Sequence, residues 1–346
     1  MSYIPPGLNQ EECMERVHVG MGGWDIPPFE KVFYPQATRG FRKLRYYSQF
    51  FDSVEINATF YSTAFSPDQV LRWLDDVDSN PRFIFTVKLY RGFTHTYDAD
   101  RKNFLTTHRL LDLLRSHGKF GGLVMQFPYS FVNGSDQRRY LMGLARSFGS
   151  FRLFTEVRHN SWDSPLMFNF FQENGMHLVN VDLPQIRRNM PFHETAWGGA
   201  SYYRLMGRNA ATWEQPYRLE PDGRHVVSDR YLYLYESSEL ERLAEAVKKV
   251  REQGNETFVV FHNDPDAQSL LNGFQFRHML TRRKVMVPDR LLHRFPRLGP
   301  ISVSVNVGHP LFSGELPPSP RNTGGSVPQS AIGSSPSIPA HHSLNY

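Results

Sequence analysis

The sequence has almost no cysteine and no long hydrophobic run. Cys13 is the single cysteine among 346 residues, so the chain cannot form an internal disulfide or a metal site built from several cysteines. No apolar stretch approaches the roughly 18 residues that a membrane-spanning helix needs. The first residues, MSYIPPGLNQEECMERV, lack the basic start and apolar core of a secretory signal. We therefore expect a cytoplasmic protein in a reducing compartment, with no membrane partner.

The composition is that of a globular protein, with 40% hydrophobic, 14% aromatic and 21% charged residues. These values exclude a collagen or a coiled coil. The net charge of +5 is local, because residues 277–297 contain seven Lys or Arg and one Asp, while the rest of the chain contains 32 basic and 33 acidic residues. We expect any attraction to nucleic acid to belong to this flank, RHMLTRRKVMVPDRLLHRFPR, and not to the rest of the protein.

The composition changes near residue 287. From there to the end, segments such as GELPPSPRNTGGSVPQSAIGSSPSIPA are rich in Pro, Ser and Gly and show no apolar period. Such a segment buries too little apolar surface to offset its ordering entropy, so we predict a disordered tail over 287–346. The folded domain is then predicted over 16–286, after a short extension over 1–15.

Eight strand-like runs alternate with segments of helical period in the predicted domain. The runs are VHVGMGG, SVEINAT, RFIFTVKL, GGLVMQFP, RLFTEVRH, HLVNVDLP, SYYRLMGR and TFVVFHND. Eight such alternations over about 250 residues are typical of a (β/α)₈ TIM-like barrel rather than of an open sheet. The segment QIRRNMPFHETAWGG, between the sixth and seventh runs, has little helical character, and we expect an irregular crossover there.

Polar residues collect at the carboxyl ends of these runs, where TIM barrels place their active sites. Glu55 and Glu156 lie three strands apart, a separation suited to an acid and base pair flanking a substrate. His95 is the third catalytic candidate because its pKa lies near neutrality. The alternatives are that Glu55 caps backbone groups and that Glu156 forms a buried ion pair with Arg158.

We expect the same mouth to bind the substrate. Arg204 and Arg208 offer guanidinium groups to a phosphate or carboxylate, although Arg208 could instead pair with a loop acid. Trp24 and Tyr61 are candidates for stacking on a substrate ring. The segment from Asn209 to Ser238 could form a lid. The other predicted substrate contacts are Asn57, Lys88, Gln126, Arg158, Trp162 and Asn263.

These residues favour an enzyme acting on a small anionic or sugar-like substrate, with hydrolase, lyase and isomerase chemistry left open. The sequence contains no P-loop and no G-x-G-x-x-G motif, and the cofactor is left unknown. Asp182, His262 and Asp264, with Glu156, could bind a divalent metal, but their spacing matches no ligand motif and we do not favour a metal. One alternative is a metal-dependent nucleic-acid phosphodiester enzyme or a nucleic-acid binder. Another is a non-catalytic scaffold.

The chain resembles the YecE-like family, also called domain of unknown function 72, over roughly residues 17–281. The resemblance rests on VGMGGWDIPPFEKVFYP, YYSQFFDSVEINATFY, FTVKLYRGFTH, LVMQFPYSF, TEVRHNSW, VNVDLP, YYRLMGR, YLYLYESSEL and VFHND, which occur in the family's order. It implies a TIM barrel and supplies no reaction. Two positions depart from the family pattern, since Met206 replaces a common His and His262 replaces a common Asn.

The resemblance also implies which residues form the site. Glu55, Asn57, Lys88, His95, Gln126, Glu156, Arg158, Trp162, Asp182, Arg204 and Arg208 all fall on family motif positions.

Overall fold

A computed structural model describes residues 16–36, 39–214 and 229–305 of the chain. Within these ranges, nine strands form one all-parallel sheet that is rolled into a nearly closed barrel. They are β1 (Val17–Met21), β2 (Ser53–Ile56), β3 (Ile84–Lys88), β4 (Phe120–Gln126), β5 (Leu153–Glu156), β6 (Met176–Leu178), β7 (Asn180–Asp182), β8 (Ala200–Leu205) and β9 (Glu256–Phe261). The predicted (β/α)₈ class is confirmed.

The barrel closes through its sixth strand, which is broken. β6 pairs with β5, whereas β7 pairs with β8, and only Val179 separates the two short strands. The Val179 amide donates to the Thr155 carbonyl at 2.9 Å, so this residue keeps contact with β5 at the break. The run HLVNVDLP was predicted as one strand. It forms two short strands, each of which pairs with one neighbouring strand.

Helices follow most strands and cover the outside of the barrel. Their bounds are α1 (Pro27–Val32), α2 (Lys43–Tyr47), α3 (Ala58–Tyr61), α4 (Pro67–Val77), α5 (Arg91–Thr94), α6 (Arg101–Ser116), α7 (Ser135–Ser147), α8 (Pro165–Glu173), α9 (Ser237–Glu252) and α10 (Gln268–Thr281). Local sequence explains several starts: Ser66 caps α4 ahead of Pro67, and Asp100 with Asn103 forms a capping box on α6. No helix among the described residues is long and apolar enough to cross a membrane.

The crossover between β7 and β8 contains no helix, as its sequence predicts. It is held by the buried Asn180, whose Nδ2 donates to the Thr195 carbonyl at 2.9 Å and whose Oδ1 accepts from the Thr195 amide at 2.8 Å. An amide side chain therefore replaces the helical packing that fixes the other crossovers.

The structure differs from the sequence prediction at residue 287. β10 (Val285–Pro288) pairs in parallel with β11 (Ser302–Val305), and α11 (Asp289–Arg294) lies between them in the chain. Val287, Leu291 and Leu298 are fully buried, but they are spaced too irregularly to produce an apolar period. Ordered structure therefore continues to Val305, while the predicted extension over 1–15 and the rest of the predicted tail, 306–346, lie outside the described residues.

Alternation along the strands selects the side chains that face the barrel interior. Glu55 on β2, Glu156 on β5 and Arg204 on β8 meet inside the barrel, near the carboxyl ends of their strands. Lys88 is the last residue of β3. It lies two residues after Thr86, whose hydroxyl contacts Tyr202 inside the barrel, so alternation places Lys88 on the same face. The mouth of the barrel thus collects charged groups from strands that are distant in sequence.

Candidate functional site

Arg204 forms the centre of the barrel mouth. Its Nη2 lies 2.9 Å from Glu55 Oε1, its Nη1 donates to Glu156 Oε2, and its Nε donates to His262 Nε2 at 3.2 Å. All of these side chains are buried. One guanidinium group therefore joins the two predicted catalytic carboxylates, and it keeps no nitrogen free for a substrate anion.

The two carboxylates are held ionised. Burial acts to raise the pKa of each, but Arg204 outweighs it, so the pKa of Glu55 lies well below its ordinary value and that of Glu156 falls to about 2. An acid and base pair needs environments that separate the two pKa values. Since the same guanidinium lowers both, neither carboxyl holds a proton to donate at neutral pH.

Every oxygen of these two carboxylates already accepts a hydrogen bond. Besides the two bonds from Arg204, Tyr202 donates to Glu55 Oε2 at 2.9 Å, and Arg158 Nε donates to Glu156 Oε1 at 2.7 Å. The predicted pairing of Glu156 with Arg158 is confirmed. The terminal nitrogens of Arg158 have no hydrogen-bond partner among the described residues, so its outer edge can receive a ligand.

Lys88 has no carboxylate partner among the described residues, because other donors already bind all four oxygens of Glu55 and Glu156. Its Nζ lies 4.2 Å from the centre of the Phe60 ring, and within the described parts of the chain it has no hydrogen bond or ion pair. Burial, together with the positive Arg204, lowers the pKa of Lys88 to about 7, although Glu55 and Glu156 act in the other direction. Near pH 7 the amine is therefore divided about equally between its neutral and protonated forms.

His95 contacts the same aromatic ring. Its imidazole lies edge-on to Phe60 with ring centres 4.9 Å apart, and its Nδ1 lies 2.8 Å from Thr94 Oγ1. Burial and the neighbouring Lys88 lower the pKa of His95 to about 4. The imidazole is thus neutral at physiological pH, and Nε2 is the ring nitrogen left for a ligand.

His262 and Asn57 line the mouth beside β1. Burial and Arg204 lower the pKa of His262 to about 4, so Nε2 of its neutral ring accepts from Arg204. The ring lies against Gly22, where an added Cβ would come within 2.3 Å of it. Asn57 Nδ2 donates to the Gly22 carbonyl at 2.5 Å, while its buried Oδ1 has no partner among the described residues. Asn57 therefore keeps an acceptor for a ligand.

The structure does not assemble the candidate metal ligands. Asp182 is paired instead with Arg208, whose Nε lies 2.9 Å from Oδ1, and with the Tyr235 hydroxyl at 2.6 Å. Asp264 has one buried oxygen without a partner in the described chain, and burial raises its pKa to about 7. Within the described ranges, no group of three His, Cys, Asp or Glu side chains is arranged to hold a metal ion.

Arg208 is not available for the anion role predicted from the sequence. Besides Asp182, its Nη1 contacts Glu239 Oε1 on α9 at 2.8 Å. This guanidinium is therefore shared by two acids at the side of the mouth and connects Asp182 on β7 to Glu239 on α9, the helix that follows β8. The sequence alternative, an ion pair with a loop acid, is right that Arg208 is paired and wrong about the partners, which lie on β7 and α9.

The predicted aromatic contacts fall into two classes. Trp162 is fully buried, donates from Nε1 to the Phe131 carbonyl and stacks on Phe131, so it is core and not a substrate contact. Trp24 is half-buried against Trp73, with ring centres 5.6 Å apart. Tyr61 is 66% exposed beside Phe60. Of these three, Tyr61 keeps a face open to a ligand at the edge of the mouth.

Two predicted substrate contacts, both amide side chains, donate hydrogen bonds to backbone carbonyls instead. Gln126 Nε2 donates to the Phe127 carbonyl at 2.8 Å, and Asn263 Nδ2 donates to the Tyr233 carbonyl at 2.8 Å. Both side chains are buried. We assign them to the support of the strand ends. The predicted lid is described only up to residue 214 and again from 229, so 215–228 lie outside the described residues.

Several arginines of the basic flank are bonded to the barrel. Arg290 donates to the Lys31 carbonyl at 3.0 Å, Arg277 donates to the Phe50 carbonyl, and Arg294 contacts both oxygens of Asp266. These bonds anchor the C-terminal segment and occupy part of the positive charge. Binding of nucleic acid by the flank stays a prediction.

Sequence reasoning missed two residues that shape the mouth. Tyr202 orients Glu55 and accepts from Thr86 at 2.8 Å, while Phe60 supports both Lys88 and His95. Tyr202 lies two residues before Arg204, so strand alternation places both on one face and could have identified it. Phe60 follows β2 among other aromatics, and nothing in the sequence distinguishes it from them.

The comparisons with known proteins agree on one group. A family model described as "Protein of unknown function DUF72" matches residues 18–296. The UPF0759 protein YunF of Bacillus subtilis (strain 168) is 27% identical over 277 residues, which cover 76% of this chain and 94% of that protein.

Solved structures of two related proteins are similar. A DUF72 family protein from Thermotoga maritima has 28% identity and a TM-score of 0.65, covering 76% of this chain and 98% of that one. A DUF72 family protein from Enterococcus faecalis has 25% identity and a TM-score of 0.64, covering 76% of this chain and 95% of that one. The family match extends past residue 287, in agreement with the ordered segment that follows β10.

Proposed function

The chain belongs to the protein family of unknown function DUF72, and we propose that it is an enzyme that binds a small anionic substrate at the barrel mouth and transfers protons through Lys88. The observation that carries the proposal is the saturation of both buried carboxylates by other donors. This leaves a lysine amine and one edge of a guanidinium group without protein partners among the described residues.

The charge balance of the mouth supports an anionic substrate. Glu55 and Glu156 carry two negative charges, which Arg204 and Arg158 neutralise. A protonated Lys88 adds an uncompensated positive charge in a partly buried place, where solvent screens it weakly. A bound carboxylate or phosphate restores neutrality, and the terminal nitrogens of Arg158 can hold it with two parallel hydrogen bonds.

The protonation states support an acid–base role for Lys88 and not for the two carboxylates. A group that exchanges protons during a reaction works best when its pKa lies near the working pH. The pKa of Lys88 is about 7, whereas those of Glu55 and Glu156 lie far below neutrality. We therefore assign Glu55 and Glu156 the electrostatic role of stabilising positive charge that develops at the mouth.

The test is anion binding by two matched arginine variants. Phosphate, lactate and glyoxylate are titrated into the full chain by calorimetry. Arg158→Gln should weaken binding of the anion that binds best by roughly 10- to 100-fold, since hydrogen bonds to charged groups contribute about 1.5–3 kcal/mol. Arg208→Gln should leave affinity nearly unchanged, because Asp182 and Glu239 already occupy this guanidinium.

The reverse pattern, with Arg208→Gln losing the anion and Arg158→Gln keeping it, would overturn the assignment. A thermal shift that appears only with a divalent ion and an oligonucleotide would overturn the small-molecule proposal as a whole and favour the nucleic-acid alternative.

A further inference from the structure

Lys88 has the surroundings of a nucleophilic amine. It lies at the carboxyl end of β3, half-buried, and its Nζ contacts the face of Phe60 at 4.2 Å. Buried lysines are ordinarily paired with a carboxylate. Lys88 has two carboxylates nearby, yet each of their four oxygens is taken by Arg204, Arg158 or Tyr202.

We propose that Lys88 forms a covalent imine with the carbonyl carbon of an anionic aldehyde or ketone. The anionic group of this substrate would bind at Arg158, so the inference rests on the anion site of the proposed function. The geometry supports this because Lys88 and Arg158 border the same carboxylate cluster from β3 and from the end of β5. A substrate held by its anionic group on Arg158 presents a nearby carbonyl to the amine.

The charged groups around Lys88 set its reactivity. Arg204 and Arg158 disfavour the ammonium form, whereas Glu55 and Glu156 favour it. With burial added, the balance leaves a large fraction of neutral amine, which is the form that attacks a carbonyl. The same carboxylates then stabilise the positive charge of a protonated imine, because they stay ionised.

The reaction balances without a further reagent. The Nζ lone pair forms a bond to the carbonyl carbon, the carbonyl electron pair moves to oxygen, and one amine proton is transferred to that oxygen. The second amine proton and the hydroxyl then leave as water, the C=N bond forms, and a proton taken up from solvent gives the protonated imine. His95, neutral and in contact with the same Phe60 ring, has Nε2 available to carry the proton between nitrogen and oxygen.

The test is reductive trapping in the full-length protein. Glyoxylate, which carries a carbonyl beside a carboxylate, is added with cyanoborohydride, whose hydride reduces an imine to a stable secondary amine. Peptide mass mapping should place the adduct on Lys88 about tenfold or more ahead of other lysines. The rate of labelling should increase as the pH rises and level off above about 7.

Lys119 is the matched control. It is also half-buried with a lowered pKa, but it lies before β4, at the other end of the barrel, and donates to the Asn80 and Pro81 carbonyls. Lys88→Arg should abolish the fast adduct and keep a positive charge in place, whereas Lys119→Arg should leave the adduct unchanged. Arg158→Gln should slow trapping without removing the amine.

The outcomes separate this inference from the proposed function. Fast labelling of Lys88 that depends on Arg158 supports both. Arg158-dependent binding of phosphate, which cannot form an imine, combined with slow or non-selective labelling overturns the imine and leaves the anion site standing. If neither phosphate nor glyoxylate binds at Arg158 and Lys88 reacts no faster than Lys119, both proposals are wrong.

Discussion

Among single residues, Arg204 determines the charge state of the mouth. A fully buried guanidinium group needs compensation, and Arg204 finds it in Glu55 and Glu156 from opposite sides of the barrel. Both acids are thereby fixed as carboxylates, which removes them as proton donors. The same arrangement leaves Lys88, whose pKa is lowered to about 7, as a basic group of the mouth whose charge can change near neutral pH.

Replacing Glu156 tests this arrangement through stability. Glu156→Gln removes one partner from Arg204 and from Arg158, so we expect the free energy of unfolding to fall by about 3–5 kcal/mol at pH 7. Because the pKa of Glu156 is lowered in the folded protein, its contribution is complete above its ordinary value of 4.5. The contribution disappears as the pH falls through about 2.

Urea unfolding of both proteins at pH 7 and at pH 3 measures the difference. The gap should be smaller at the lower pH. Glu245→Gln is the control, since within the described ranges this exposed carboxylate forms an ion pair with Lys248 alone, and its loss should cost less than about 1 kcal/mol. Equal losses for the two variants would contradict the central place of Glu156.

The sequence identifies which residues lie at the mouth more easily than it identifies which of them bond to each other. Glu55, Glu156 and Arg204 are visible as polar residues near strand ends. Which nitrogen meets which oxygen depends on strand register and barrel closure, which no short pattern records. For the same reason Arg208, so close to Arg204 in sequence, has different partners in the structure.

Among the elements, the broken sixth strand is the irregular part of the barrel. β6 and β7 are three residues each, and the crossover that follows has no helix to pack against them. The order of this region depends on Asn180, whose buried amide bonds the Thr195 backbone and Ser201 Oγ. This side chain thus provides several of the hydrogen bonds that hold a crossover without a helix.

Replacing Asn180 should loosen this part of the fold. Asn180→Ala leaves the Thr195 backbone groups without their partner, which we expect to lower the free energy of unfolding by about 2–3 kcal/mol. Hydrogen exchange should show faster opening in the crossover than in α9. Asn189→Ala is the control in the same loop, because its Nδ2 makes one bond, to the Pro184 carbonyl. An effect no larger than that of the control would contradict the role given to Asn180.

Strong local signals identified most elements. Regular strands such as β5 and β9 lie within the predicted runs RLFTEVRH and TFVVFHND or one residue from them, because apolar and β-branched residues mark them locally. The segment after β10 was missed because a parallel pair of short strands and a short helix bury only a few isolated apolar residues, including Leu291 and Leu298. Their burial depends on the barrel surface beneath them, which local composition does not encode.

At the scale of the whole molecule, the excess positive charge belongs to the C-terminal flank and not to the charged residues inside the barrel mouth. The basic flank over 277–297 accounts for it, and part of that charge anchors the C-terminal segment through Arg290 and Arg294. The mouth itself is close to neutral once Lys88 is uncharged. The affinity for anions that we propose therefore depends on the local arrangement of Arg158 and Lys88 and not on the net charge of the protein.

The most direct test of this account is the titration of Lys88 itself. Lysines carrying ¹³C-methyl groups are followed by NMR across the pH range, with Lys88→Arg to assign the signal. Lys88 should titrate with a midpoint near pH 7, well below the ordinary value of 10.5, and this midpoint should rise when phosphate occupies the mouth. A Lys88 that titrates at the ordinary value, with or without phosphate, would be a permanent ammonium and would contradict its role as base and nucleophile.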